Sequence, residues 1–200
     1  SLEDDLSETD IALIGVPHSS GNGTTERDQH LGPRAVRNVS GEYRRFHKEF
    51  KISPWDACRI SDVGDVSLPH AMNNDVTIKD IEAWYHDIDT AGVCPVSIGG
   101  DHSITLPILR ALAGPQSKTT NEPLAVLHFD AHHDSYGVED VGAKHFLGNY
   151  EWAGAWGKIM GDEGLVNPEK VIQIGMRGHG YTENDGIESH RLGYRVLDKD

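Results

Sequence analysis

Cysteine is nearly absent from this chain: Cys58 and Cys94 are the only two thiols in 200 residues. That excludes a disulfide-stapled scaffold and leads to the expectation of a reducing, cytoplasmic setting. Long apolar runs are missing as well. No stretch approaches the roughly 20 residues a membrane helix needs, and no charged-then-apolar leader opens the sequence, so a membrane is not an expected partner. Basic residues are scarce, 18 against 32 acids, for a net charge of −14. That balance disfavours nucleic acid and anionic lipid and makes a cation a plausible ligand. Gly-Lys-Ser/Thr does not occur, and Gly21-Asn-Gly23 lacks the spacing of a phosphate loop, which argues against a nucleotide-binding module. Histidine, by contrast, is plentiful: twelve residues, enough to direct attention to metal or proton chemistry.

Residues 1–10 (SLEDDLSETD) are acidic and aperiodic, and read as a flexible, solvated arm. From residue 11 onward, short apolar runs alternate with longer segments of helical spacing. The runs are Ile11–Val16, Arg59–Gly64, Val93–Ile98, Leu124–Phe129, Val171–Gly175 and Tyr194–Leu197. Their length and their Gly, Pro and Asp boundaries predict strands buried on both faces. Between them, helices are expected over Ala35–Phe50 (opened by Pro33), over Val76–Thr90, and around Leu106, Leu109 and Leu112. The alternation predicts an α/β domain over 11–200 with a mostly parallel sheet. Ligands of such a sheet collect just beyond the C-terminal ends of its strands.

Two clusters follow strand ends. The third run leads into Gly99-Gly-Asp-His-Ser103 and the fourth into Asp130-Ala-His-His-Asp134. Asp130, His132 and Asp134 alternate, which places them on one side of an extended chain. His102 adds an imidazole from the other cluster. Asp-rich strand ends often serve as turns or helix caps, but a cap needs one carboxylate, not two flanking two histidines. Gathering Asp130 and Asp134 without a cation brings like charges together at high cost. Carboxylate with imidazole suits Mn²⁺, Fe²⁺, Ni²⁺, Co²⁺ or Zn²⁺, and a bridging carboxylate can hold two such ions. Gly99-Gly100 reads as a point of close backbone approach or an ordinary turn. His133 points away from its neighbours, toward packing rather than ligation. His18 reads as a surface loop histidine, with a pocket-facing position as the alternative.

These two clusters resemble the signature motifs of the ureohydrolases, the family of arginase, agmatinase and guanidinobutyrase. Ile14-Gly-Val-Pro17, Gly32-Pro-Arg-Ala-Val-Arg37 and Gln173-Ile-Gly-Met-Arg-Gly178 resemble further segments of that family in its order, closer to the agmatinase branch than to arginase. The resemblance implies a three-layer α/β/α sandwich and cleavage of a small cationic guanidino substrate to urea and an amine or ammonia. It implies two divalent ions, Mn²⁺ first and Ni²⁺ second. His102, Asp130 and Asp134 would serve one ion and Asp130 with His132 the other. Asp101 and His128 would orient those ligands. A homo-oligomer, trimer or hexamer, is also implied.

The sequence departs from the family pattern in places. A later Asp-x-Asp strand motif has no match after Gly178; Asp198-Lys-Asp200 lacks its lead-in. Residues 11–200 are therefore expected to be the N-terminal part of one ureohydrolase-like domain that stops before the last metal motif. The alternative is a catalytically silent metal-binding subunit that supports an active partner. His145 is the best match to the family's proton-carrying histidine. Tyr136 and Asn149 are weaker candidates for substrate contact. Trp152 and Trp156, at helical spacing, read as core packing or as an aromatic wall. The substrate is expected among agmatine, guanidinobutyrate, guanidine and an alkylguanidine, and the aromatic crowding after Asp134 favours the smaller guanidine or alkylguanidine. A calcineurin-like phosphoesterase would need its Gly-Asp and Gly-Asn-His after the Asp-x-His motif; here order and identity both fail.

Overall fold

A computed structural model describes residues 6–42, 44–137, 150–178 and 186–198. Six strands appear where the apolar runs predict them: β1 (Ile11–Val16), β2 (Ile60–Asp65), β3 (Cys94–Gly99), β4 (Leu124–Phe129), β5 (Val166–Met176) and β6 (Arg195–Asp198). They form two three-stranded sheets, ordered β2-β1-β3 and β4-β5-β6, and every pairing is parallel. Helices connect and flank them: α1 (Gly32–Ser40), α2 (Pro54–Ala57), α3 (Asn74–Ala91), α4 (Thr105–Ala113), α5 (Trp156–Asp162) and α6 (Ile187–Arg191). This is the parallel α/β sandwich expected. Among the described residues no ladder joins β3 to β4, so the expected sheet is present as two.

Each sheet has its own core. Ala12, Ile14 and Val16 of β1 are fully buried against Ile81, Tyr85 and Ile88 of α3. Those helix positions recur every three or four residues and form one apolar stripe. The helix stops at Gly92, whose φ of +69° is the left-handed C-terminal conformation glycine adopts without strain. In the second core Leu106 and Leu109 of α4 meet Trp156 and Met160 of α5, with Val166 and Val171 of β5. α4 also turns Ala111 into the first core. One helix thus contributes to both, and each fully buried Leu or Ile stabilises the fold by about 1.5–3 kcal/mol. Arg110 strengthens the α4–α5 joint through ion pairs of 2.6 Å to Glu163 and to Glu151.

Three expectations are corrected. The helix expected over Ala35–Phe50 ends at Ser40, where Gly41 follows. Beyond it His47 pairs with Ile52 in an antiparallel bridge, and Phe50 stacks on His47 instead of entering the core. The acidic arm is not solvated throughout: Leu6 is buried in the first core, and Glu8 and Asp10 pair with Arg59. Burial on both strand faces fails at the β3 and β4 edges, where Val96, Leu127 and Phe129 are exposed. No described helix is long and apolar enough to cross a membrane.

Candidate metal centre

The site is built where β3 and β4 end. At the end of β3 the chain turns through Gly100, with φ of +55°; a Cβ there would lie 2.4 Å from the Val16 carbonyl. Only glycine allows that approach. It lets the Asp101 N–H donate to the His18 carbonyl at 2.9 Å. Asp101 is buried and accepts from the Ser103 N–H at 2.9 Å, the Ser103 hydroxyl at 2.5 Å and the Gly21 N–H at 2.9 Å. Its carboxylate therefore caps the short 3-10 turn His102–Ile104 and fastens the loop after β1 to it. Asp101 thus acts on the backbone around His102.

At the end of β4, Asp130 turns its two oxygens to different imidazoles. Oδ2 lies 3.3 Å from His102 Nδ1 and 3.4 Å from His128 Nε2, while Oδ1 lies 3.5 Å from His132 Nδ1. Asp134, with φ of +49°, folds back so that its Oδ2 is 2.7 Å from His102 Nδ1. Ligand atoms of His102, His128, Asp130 and Asp134 all lie within 4.8 Å of one another. His132, expected in the same group, lies beside it on the Oδ1 side of Asp130 and is half exposed. His128, expected only to orient ligands, contributes an atom to the tight group.

Electrostatics follow the geometry. Burial opposes a charge on His102, yet the hydrogen bond to Asp134 and the charges of Asp134, Asp130 and Asp101 outweigh it and raise its pKa above the usual imidazole value. Burial dominates at His128 and lowers its pKa, against the opposing charges of Asp134 and Asp130. Burial also acts to raise Asp130, but the His132 N–H and the imidazoles hold its pKa below the usual carboxylate range. Two converging carboxylates that compete for one imidazole nitrogen form a donor set that fits a divalent cation.

Two supports were not anticipated. Trp156 Nε1–H donates to Asp134 Oδ2 at 2.9 Å, and its ring packs against His102 and His128 at 4.9 and 4.8 Å. Trp156 opens α5 while Trp152 lies in the turn before it, so the two do not share a helical face. Gln173 of β5 is fully buried, bonded to the His133 carbonyl and to His128. A polar residue inside the run Val171-Ile-Gln-Ile174 was the available signal. His133 packs toward Gln173, as its direction implied. His18 is fully buried and its Nε2 lies 2.8 Å from Asn74 Oδ1, which corrects the surface-loop expectation.

Beside the centre opens a cavity of about 410 Å³, lined by the ligand side chains and by Asn22, Thr24, Gln29, Tyr136 and Trp152. The Tyr136 and Trp152 rings are stacked, 5.9 Å apart and 12° from parallel. Tyr136 lines the cavity. His145 and Asn149 lie outside the described residues.

Fold and donor set together define the class: a parallel α/β protein with a carboxylate–imidazole centre beyond its strand ends. The Arginase family model matches residues 9–200, and the chain belongs to that family. It is 36% identical over 187 residues to a guanidinopropionase of Pseudomonas aeruginosa, covering 94% of this chain and 54% of that protein. It is 33% identical over 193 residues to a guanidinobutyrase of the same organism, covering 96% and 56%. Among solved structures, proclavaminate amidino hydrolase from Streptomyces clavuligerus superposes with a TM-score of 0.80 at 28% identity, covering 95% of this chain and 58% of that one. The chain thus spans a little over half the length of the curated relatives it matches.

Proposed function

We propose that the chain forms part of a metal-dependent hydrolase that cleaves the guanidino group of a small cationic substrate, releasing urea and an amine or ammonia. The observation that carries this reading is Asp130, whose two oxygens face His102 on one side and His132 on the other. That is the disposition of a carboxylate shared between two cations. His102, Asp130 and Asp134 would hold one and Asp130 with His132 the other, Mn²⁺ first and Ni²⁺ second. A guanidinium carbon is resonance-stabilised and resists neutral water; divalent ions held here would supply the Lewis acidity that makes water a nucleophile near neutral pH.

The chain's own residues do the rest. Asp101 and Trp156 hold the ligands in place. Tyr136 and Trp152 offer aromatic surface to a planar cation. His145 is assigned the proton delivered to the leaving nitrogen. The relatives' names, guanidinopropionase and guanidinobutyrase, support the guanidino class; within it we favour guanidine or an alkylguanidine. A cytoplasmic homo-oligomer belongs to the same proposal.

The test is urea release from guanidine, methylguanidine, 3-guanidinopropionate, 4-guanidinobutyrate and agmatine, after loading with Mn²⁺ or Ni²⁺ separately. The expected outcome is turnover with at least one substrate and its loss in His102→Ala. Strongest turnover with agmatine counts against the small substrate. Measured on the whole hydrolase of which the chain forms part, stoichiometric metal with no urea from any of the five overturns the enzyme reading and leaves the silent subunit.

A further inference from the structure

We propose that Gln173 is a positioning residue for the metal centre: it fixes His128 so that the imidazole faces Asp130 as a hydrogen-bond donor and not as a ligand. This rests on the proposed role of Asp130 as a metal carboxylate. His128 of β4 and Gln173 of β5 are direct partners on the parallel ladder, so their side chains share one face. Gln173 is fully buried, and a buried primary amide must satisfy both its ends or destabilise the fold.

Its orientation follows from one contact. An atom of the Gln173 amide lies 2.7 Å from the His133 carbonyl oxygen. A carbonyl only accepts, so that atom is the NH2 group. The second hydrogen of the same group points at His128 Nδ1, 3.2 Å away. The amide oxygen faces the other direction, 3.4 Å from His133 Nδ1. His128 Nδ1 is therefore an acceptor, and a neutral imidazole with an accepting Nδ1 carries its hydrogen on Nε2. That nitrogen has no lone pair to give a cation, although it sits among the converging ligand atoms.

The surroundings keep the ring in this state. His128 Nε2 is buried, has no hydrogen-bond partner among the described residues, and is aimed at Asp130 Oδ2 from 3.4 Å. A small rotation of the Asp130 carboxylate closes that distance. Trp156 packs edge-on against the His128 ring. His133, at the far end of the string, is walled by Gly186: a Cβ there would lie 2.7 Å from His133 Nε2. Gln173 thus links the β4 strand end, the turn at His133 and the bridging carboxylate.

The first arm of the test needs no variant. Long-range ¹H–¹⁵N correlation spectra of the ¹⁵N-histidine-labelled protein, metal-free and loaded with diamagnetic Zn²⁺, report the tautomer directly. The expected result is His128 with Nε2 protonated and Nδ1 unprotonated in both states, while His102 and His132 shift on loading. An unprotonated Nε2 in either state overturns the proposal. The second arm measures Mn²⁺ affinity by chelator competition. Gln173→Met should weaken binding about 10–100-fold. In a His128→Phe background the same substitution should change affinity by less than about 2-fold if Gln173 works through His128. A full loss in that background overturns the proposal. The metal-free spectrum reads the tautomer whether or not the protein binds a cation or releases urea, so a failure of the enzyme reading is separable from a failure here.

Discussion

Asp134 is restrained in both its backbone and its side chain. Its backbone is held at positive φ, and its Oδ2 accepts from the Trp156 indole while facing His102. Trp156→Phe keeps an aromatic ring in the second core but removes the N–H together with the five-membered half of the indole. Loss of a hydrogen bond to a charged group should lower stability by about 1.5–3 kcal/mol, seen as a lower melting temperature in the presence of chelator. Mn²⁺ affinity should fall by about 10-fold, read by chelator competition, because such supporting contacts orient metal ligands. An unchanged affinity would reduce Trp156 to a packing residue. At this scale the candidate residues were legible in the sequence: Asp130, His132 and Asp134 alternate after one strand end and His102 follows another, and the structure gathers His102, Asp130 and Asp134 with His128 and leaves His132 beside them. Trp156 and Gln173 were not legible as their supports. Trp156 lies 22 residues from its carboxylate and Gln173 45 residues from His128, and no local pattern encodes a partner at that separation.

Among the elements, α3 illustrates how a helix is fastened to a strand. Its buried Tyr85 hydroxyl lies 2.5 Å from the Ser97 hydroxyl on β3. Burial pushes the phenol up to about 12 from 10.0, with the Ser97 contact acting in the opposite direction. Unfolded tyrosine ionises near 10, so between pH 10 and 12 the folded chain binds the extra proton. The contribution is fully present below pH 10 and is lost as pH rises through 12, about 2–3 kcal/mol in all. Urea unfolding at pH 9 and at pH 12 should therefore show a steeper decline for the wild type than for Tyr85→Phe; equal declines would remove Tyr85 from the account. The helix itself was legible, because its apolar stripe is local. The end of α1 was misplaced because spacing continues past Gly41, whereas the chain instead closes a bridge between His47 and Ile52. β5 begins five residues before its apolar run, since Val166–Lys170 reads as polar connector until Leu124 pairs with Val166.

Across the whole molecule, the strand–helix alternation announced a parallel α/β fold but not its division. Which strands lie side by side is decided by contacts distant in sequence, and so is the burial of Leu6, read as part of a solvated arm. The structure joins its two sheets through α4 and through the His/Asp group at the ends of β3 and β4, while the inner margins of β3 and β4 share no ladder among the described residues. Val96, Leu127 and Phe129 stand open there. Unsatisfied strand margins with apolar neighbours template further pairing in trans. A polypeptide limited to these 200 residues should therefore gain mass with concentration in sedimentation velocity runs, and Leu127→Lys together with Phe129→Lys should return it toward a single slow species. A monomer at every concentration would count against this. The same open margins are the places where a neighbouring copy of this stretch of chain would first find backbone to pair with.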